Sequence, residues 1–168
     1  MNASQIAGPA ALLPHGLAGE DLGYGRELIE WVRFTALGDE RGSLVALEGT
    51  KSVPFPIKRV YYLFATKEGV ARGFHAHINL RQVAICVTGS CRMVLDDGCR
   101  REEVLLRSPV QGVLLREMVW REMHDFSPDC VLLVLASEHY DESDYIRNYQ
   151  DFLALREQMN PMSQTGGM

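Results

Sequence analysis

Apolar runs of four to seven residues, cut by turn residues, recur along most of this chain. They occupy 28–34, 43–47, 59–65, 73–77, 82–88, 91–95, 103–106, 112–115, 119–124 and 131–136. Between them stand Asp39-Glu40-Arg41-Gly42, Thr88-Gly89-Ser90, Asp96-Asp97-Gly98, Ser108-Pro109 and Ser127-Pro128-Asp129. Such residues turn the chain through left-handed backbone or local side-chain hydrogen bonds. Gly89 and Asp97-Gly98 read as hairpin turns. Many short strands at this spacing predict an all-β sandwich or barrel. The pattern then changes period: Phe152, Leu155 and Met159 fall at helical spacing and predict one short C-terminal helix over 149–159.

Residues 1–26 are rich in Gly, Ala and Pro and hold no period, which predicts a loosely ordered N-terminal extension. Residues 27–160 then form the domain and 161–168 a flexible tail. The full length of 168 residues suits one domain with a complete core. A net charge of −5 supplies no bulk basic field, so nucleic acid is not an expected partner. No apolar run is long enough to span a bilayer, and Met1-Asn2-Ala3-Ser4-Gln5 lacks a basic leader region. The four cysteines show no C-x-x-C spacing, and Cys86 and Cys130 lie in apolar runs. They read as reduced thiols of a cytoplasmic protein.

The candidate chemistry lies in Gly73-Phe74-His75-Ala76-His77. On a strand, alternate residues share a face, so both imidazoles point the same way. Imidazole both moves protons near neutral pH and binds metals. Gly69 stands six residues before His75, Gln82 follows His77 after four residues, and Gly89 follows Gln82 after six. This resembles the first cupin motif, in which metal cupins carry glutamate where Gln82 stands. The second motif region, 109–124, carries Arg121 after Val119-Trp120. An amide in place of an anion, and a permanent cation nearby, argue against a divalent metal.

Seven stretches together make the resemblance specific. They are Arg41-Gly42-Ser43-Leu44-Val45-Ala46, Ile57-Lys58-Arg59-Val60-Tyr61-Tyr62, Arg72-Gly73-Phe74-His75-Ala76-His77, Gly89-Ser90-Cys91-Arg92, Leu95-Asp96-Asp97-Gly98, Glu122-Met123-His124-Asp125-Phe126, and 136–147. Across about residues 33–155 the chain resembles the nucleotide-sugar 3,4-ketoisomerases, metal-independent cupins acting on dTDP-4-keto-6-deoxyglucose. The resemblance implies a cupin jelly-roll barrel, a homodimer with exchanged strands and no cofactor. Its substrate would be a dTDP-linked 4-keto-6-deoxyhexose, and its product would pass to an aminotransferase making a 3-amino-3,6-dideoxyhexose.

That reaction moves a carbonyl from C4 to C3, so a base must take the C3 proton and a proton must reach C4. By resemblance His77 is the proton-shuttling base, with His75 assisting or orienting the sugar. Alternation puts Arg59 and Tyr61 on one face, so a phosphate contact and a phenol could share a wall. Arg41, Arg59 and Arg72 would contact phosphate oxygens and Arg147 would lie near the sugar. The family pattern has a histidine where Arg121 stands. Arg121 either holds an enolate or hydroxyl oxygen or is an ordinary surface arginine. A related 3,5-epimerase and a non-catalytic nucleotide-sugar-binding cupin remain as alternative readings.

Overall fold

Two five-stranded antiparallel sheets face each other in the computed structural model, which describes residues 27–159. The extension expected at 1–26 and the tail expected at 161–168 lie outside the described residues. The first sheet runs in the order β1 (Glu30–Arg33), β9 (Gln111–Leu115), β6 (Gln82–Thr88), β11 (Val131–Ala136) and β4 (Arg59–Leu63). The second runs β12 (Tyr145–Ile146), β5 (Arg72–His77), β10 (Trp120–His124), β7 (Cys91–Asp96) and β8 (Arg101–Leu106). A separate hairpin pairs β2 (Ala36–Asp39) with β3 (Gly42–Val45). One helix, α1 (Tyr149–Met159), closes the described chain. The expected all-β architecture with a short C-terminal helix is therefore present.

The main core lies between the sheets. Ala84, Cys86, Val113, Leu132 and Val134 from the first sheet meet Cys91, Met93, Leu95, Val104 and Leu106 from the second. The first sheet is covered on its other face as well. Val83, Ile85, Leu114 and Leu135 pack there against Phe34, Val53 and Phe55. Burial on both faces explains why β6 and β11 read as nearly unbroken apolar runs rather than as alternation. Outside the second sheet, Ala76, Met118, Trp120 and Ile146 receive the helix through Phe152.

Three details differ from the sequence reading. Gly89 does not turn a hairpin: β6 and β7 belong to different sheets, and Gly89, at φ +67°, carries the chain across. A Cβ there would lie 2.3 Å from Ser127 Oγ. The Asp97-Gly98 turn does join a hairpin, β7 to β8, with Asp97 N–H donating to the Arg100 carbonyl. β2 and β12 were invisible to the apolar pattern, the first because it is exposed throughout and the second because it is two residues long.

The helix keeps its predicted limits, and of its predicted face Phe152 is buried while Leu155 and Met159 are not. Asn148 Oδ1 caps it by accepting from the N–H groups of Gln150 and Asp151. Tyr149, Phe152 and Leu153 pack inward, whereas Leu155 and Met159 are exposed. Tyr149 also donates its hydroxyl to buried Asp96 over 2.8 Å, which fixes the helix to the β7–β8 turn. Phe152→Ala should therefore destabilise the fold by about 3–5 kcal/mol, while Leu155→Ala should stay within about 0.5 kcal/mol. Urea unfolding of the two variants beside the parent measures both.

Candidate active site

The site is built on a distortion in β5. Gly73 and Phe74 both have positive φ, +93° and +53°. The pairing with β10 slips there, so that Arg121 opposes His75 and Glu122 opposes Gly73. Phe74 is the extra residue of a β-bulge, a feature that re-aims neighbouring side chains and recurs next to functional sites. Gly73 is required on two counts, since a Cβ would also lie 2.8 Å from the Arg121 carbonyl oxygen. The bulge turns Phe74 outward, against the His124 ring, and His75 inward.

His75 lines an open cavity of about 410 Å³. Its Nδ1 lies 3.0 Å from the Gly73 carbonyl, which can only accept, so the hydrogen sits on Nδ1 and the Nε2 lone pair is free. Burial, then the charge of Arg121, lowers the His75 pKa to about 4. The ring is thus neutral at pH 7. His77 lies behind it, 1% exposed, with ring centroids 4.9 Å apart. His77 Nδ1 donates to Asp144 over 3.0 Å, and burial followed by Arg121 also holds this imidazole neutral. His77 Nε2 is buried without a protein partner.

The facing wall comes from β4. Alternation sends Arg59, Tyr61 and Leu63 into the cavity and leaves Val60 and Tyr62 exposed, as expected for Arg59 and Tyr61. Arg72 and Arg147 line the cavity too. The Arg147 guanidinium lies 4.4 Å over the Tyr145 ring, which also meets His77 at 4.2 Å, His75 at 5.0 Å and Tyr140 at 5.8 Å. Arg59 stacks over Tyr61 and Tyr140 at 5.4 and 5.6 Å. Guanidinium groups interleaved with phenol rings present both charge and flat apolar surface to a ligand.

Three predicted site residues do not line the cavity: His77, the base expected by resemblance, lies behind His75, and Arg41 and Arg121 are placed elsewhere. Arg41 sits at the exposed tip of the β2–β3 hairpin, paired with Asp39, outside this cavity. Arg121 is neither a surface residue nor part of the cavity lining. It is 1% exposed, inside the barrel. Its Nη2 donates to the carbonyls of Val119 and Arg116, and its Nη1 donates to Gln82 Oε1 over 3.0 Å. Burial lowers its pKa to about 10, so it remains a cation. Among the described residues no carboxylate pairs with it.

The position of a cupin metal would be framed by His75, His77 and Gln82. The Gln82 amide is engaged at both ends, its Nε2 donating to Tyr61 Oη over 2.8 Å. A neutral amide therefore stands where the anionic ligand would be needed, with a fixed guanidinium beside it, and this donor set does not fit a divalent cation. Tyr145, Tyr140 and Asp144 escaped the sequence reading as site residues. They lie in the matched stretch 136–147, but a two-residue strand gives no periodic signal that would point Tyr145 at His77.

Fold and site together define a cupin-type jelly roll with a histidine-bearing, arginine-lined pocket. The family model described as FdtA, WxcM-like, C-terminal matches residues 27–157, and the chain belongs to that family. It is 56% identical over 121 residues to a TDP-4-oxo-6-deoxy-alpha-D-glucose-3,4-oxoisomerase of Aneurinibacillus thermoaerophilus, covering 72% of this chain and 87% of the relative. A mutant of the 3,4-ketoisomerase QdtA from Thermoanaerobacterium thermosaccharolyticum, solved in complex with TDP-4-keto-6-deoxyglucose, superposes with TM-score 0.77 and 40% identity. That match covers 80% of this chain and 97% of QdtA. WlaRB, a TDP-quinovose 3,4-ketoisomerase from Campylobacter jejuni, gives TM-score 0.72 at 49% identity over 75% and 97%. The fold and family expected from the motifs are both borne out.

The field of Arg121 has a direct consequence. In Arg121→Gln the His75 and His77 rings should titrate at higher pH than in the parent, towards the ordinary value of about 6.5. Nitrogen-15 NMR of the imidazoles reads both shifts without substrate.

Proposed function

We propose that this protein is a sugar 3,4-ketoisomerase that converts dTDP-4-keto-6-deoxyglucose into a dTDP-3-keto-6-deoxyhexose, with His75 as the base. One observation carries the reading. A neutral imidazole presents a free Nε2 lone pair to a cavity shared with Tyr61, Arg59, Arg72 and Arg147. Relatives at 40–56% identity share the 3,4-ketoisomerase reaction and a TDP-linked sugar.

The C3 hydrogen moves as a proton to His75 Nε2. Its electron pair becomes the C3=C4 double bond, and charge collects on the C4 oxygen. Tyr61 supplies a hydrogen bond to that oxygen. The O3 proton passes to the C4 oxygen, and the C3 carbonyl forms as C4 takes up the proton held by His75, so the composition of the sugar is unchanged. His77, fixed by Asp144, is the second ring of the relay. Arg121 acts from behind the pocket by adding to the burial that keeps both rings neutral. Arg59, Arg72 and Arg147 serve the diphosphate and sugar. No step requires a metal, and the engaged Gln82 amide supports that reading.

The working form in this reading is a cytoplasmic homodimer. A two-stranded hairpin is not stable alone, and β2–β3 exposes Leu37 and Leu44, while the edge strand β4 exposes Val60 and Tyr62, followed by exposed Phe64. Exchange of the hairpin between copies covers these surfaces, and it lets Arg41 reach a phosphate in the partner's pocket.

NMR of dTDP-4-keto-6-deoxyglucose in D2O with the protein tests the reaction. The 3-keto isomer should appear with deuterium exchange at C3, and His75→Asn should reduce the rate by about 10²-fold or more. An unchanged spectrum with the parent protein rejects the reading. The acid limb of kcat/KM reports the base in the free enzyme. Because a neutral base is active above its pKa and that of His75 is lowered to about 4, activity should persist well below pH 6.5 and fail as pH approaches about 4.

A further inference from the structure

We infer that Gln82 is a positioning residue that aims the hydroxyl hydrogen of Tyr61 into the active-site cavity, its own orientation being dictated by Arg121. The inference rests on the ketoisomerase reading for its consequence but not for its geometry. Gln82 is 1% exposed, on β6, between the buried guanidinium and the phenol.

The argument is one of donors and acceptors. Arginine has only donors. Facing Arg121 Nη1 at 3.0 Å, the Gln82 amide must present its oxygen. Its NH₂ end then has to face Tyr61, and it does, at 2.8 Å. That contact makes the phenol oxygen an acceptor on its buried side. A phenol has one hydrogen, and it cannot point at an NH₂ group. It is left for whatever occupies the cavity that Tyr61 lines. Two facts of covalent chemistry, the lack of an acceptor on arginine and the two unlike ends of an amide, thus set the polarity of a hydroxyl about two side chains away.

A glutamate at this position would reverse that polarity. Its carboxylate would accept from Arg121 at one oxygen and from Tyr61 at the other. The phenolic hydrogen would turn inward, and the cavity would face a lone pair instead of a donor. The choice of amide over acid at residue 82 therefore has a positive role, beyond the absence of a metal ligand. It also explains how a buried cation that does not line the cavity supports the chemistry there.

Gln82→Glu tests this directly, with Gln82→Met as an apolar variant of similar size. Both should lower kcat about as far as Tyr61→Phe does, about 10–10²-fold, with KM within about threefold. Combining either with Tyr61→Phe should add little further loss, because the pair acts as one unit. Losses that multiply in the double variant overturn the inference, as does wild-type kcat in Gln82→Glu. A second measurement needs no turnover. The ionisation of Tyr61 is read as the ultraviolet titration difference between each protein and its Tyr61→Phe counterpart. It should move to higher pH in Gln82→Glu, where the phenol hydrogen is held by a carboxylate. An unmoved midpoint in a folded variant rejects the relay even if the parent is an active isomerase. A shifted midpoint beside an inactive parent rejects the isomerase reading and leaves the relay standing.

Discussion

A guanidinium sealed inside the barrel organises this site. Arg121 is 1% exposed, and among the described residues no carboxylate forms an ion pair with it, Asp144 and Glu117 acting only through their fields. An uncompensated buried charge costs several kcal/mol unless dipoles replace its hydration. Here two backbone carbonyls and one side-chain amide do so, from Val119, Arg116 and Gln82. Each of these partners is thereby fixed. Burial, joined by this charge, keeps His75 and His77 unprotonated, and through Gln82 the charge engages Tyr61.

The remaining parts of the site are attached to this centre through short strands. β10 carries Arg121 and pairs with β5, whose bulge at Phe74 brings His75 to the cavity wall. β12 pairs with the end of β5 and lays Tyr145 beside both imidazoles, while the preceding residue, Asp144, accepts from His77. Helix α1 then packs Phe152 and Tyr149 against Trp120 on the outside of β10. A chain of contacts thus runs from the helix through the second sheet to the pocket.

Much of this was legible in the residues. Ten of the strands and the limits of the helix follow from apolar runs and turn residues, because burial on a sheet needs β-type periodicity or unbroken apolar runs. The H-x-H pair, Arg59, Tyr61, Arg72 and Arg147 follow from alternation and from matched motifs, and they line or adjoin one cavity. What was not legible was depth. Nothing in Val119-Trp120-Arg121 distinguishes a surface arginine from a buried one, since burial depends on what covers it from β5, β6 and β7. Nor does strand alternation rank two histidines on one face. His75 reaches the cavity and His77 does not because β12 and Asp144 close over the second ring.

The H-x-H pair and Gln82 illustrate the division. The sequence by itself determined an all-β scaffold, its family, and a pair of imidazoles on one side of a strand without a third anionic ligand. Those properties depend on residue type and on spacing of two, which are local. The tertiary structure decided which imidazole is open, where the guanidinium lies and which way the amide at residue 82 faces. Those depend on contacts between β4, β6 and β10, residues 61, 82 and 121, which only the closed barrel brings within hydrogen-bonding distance.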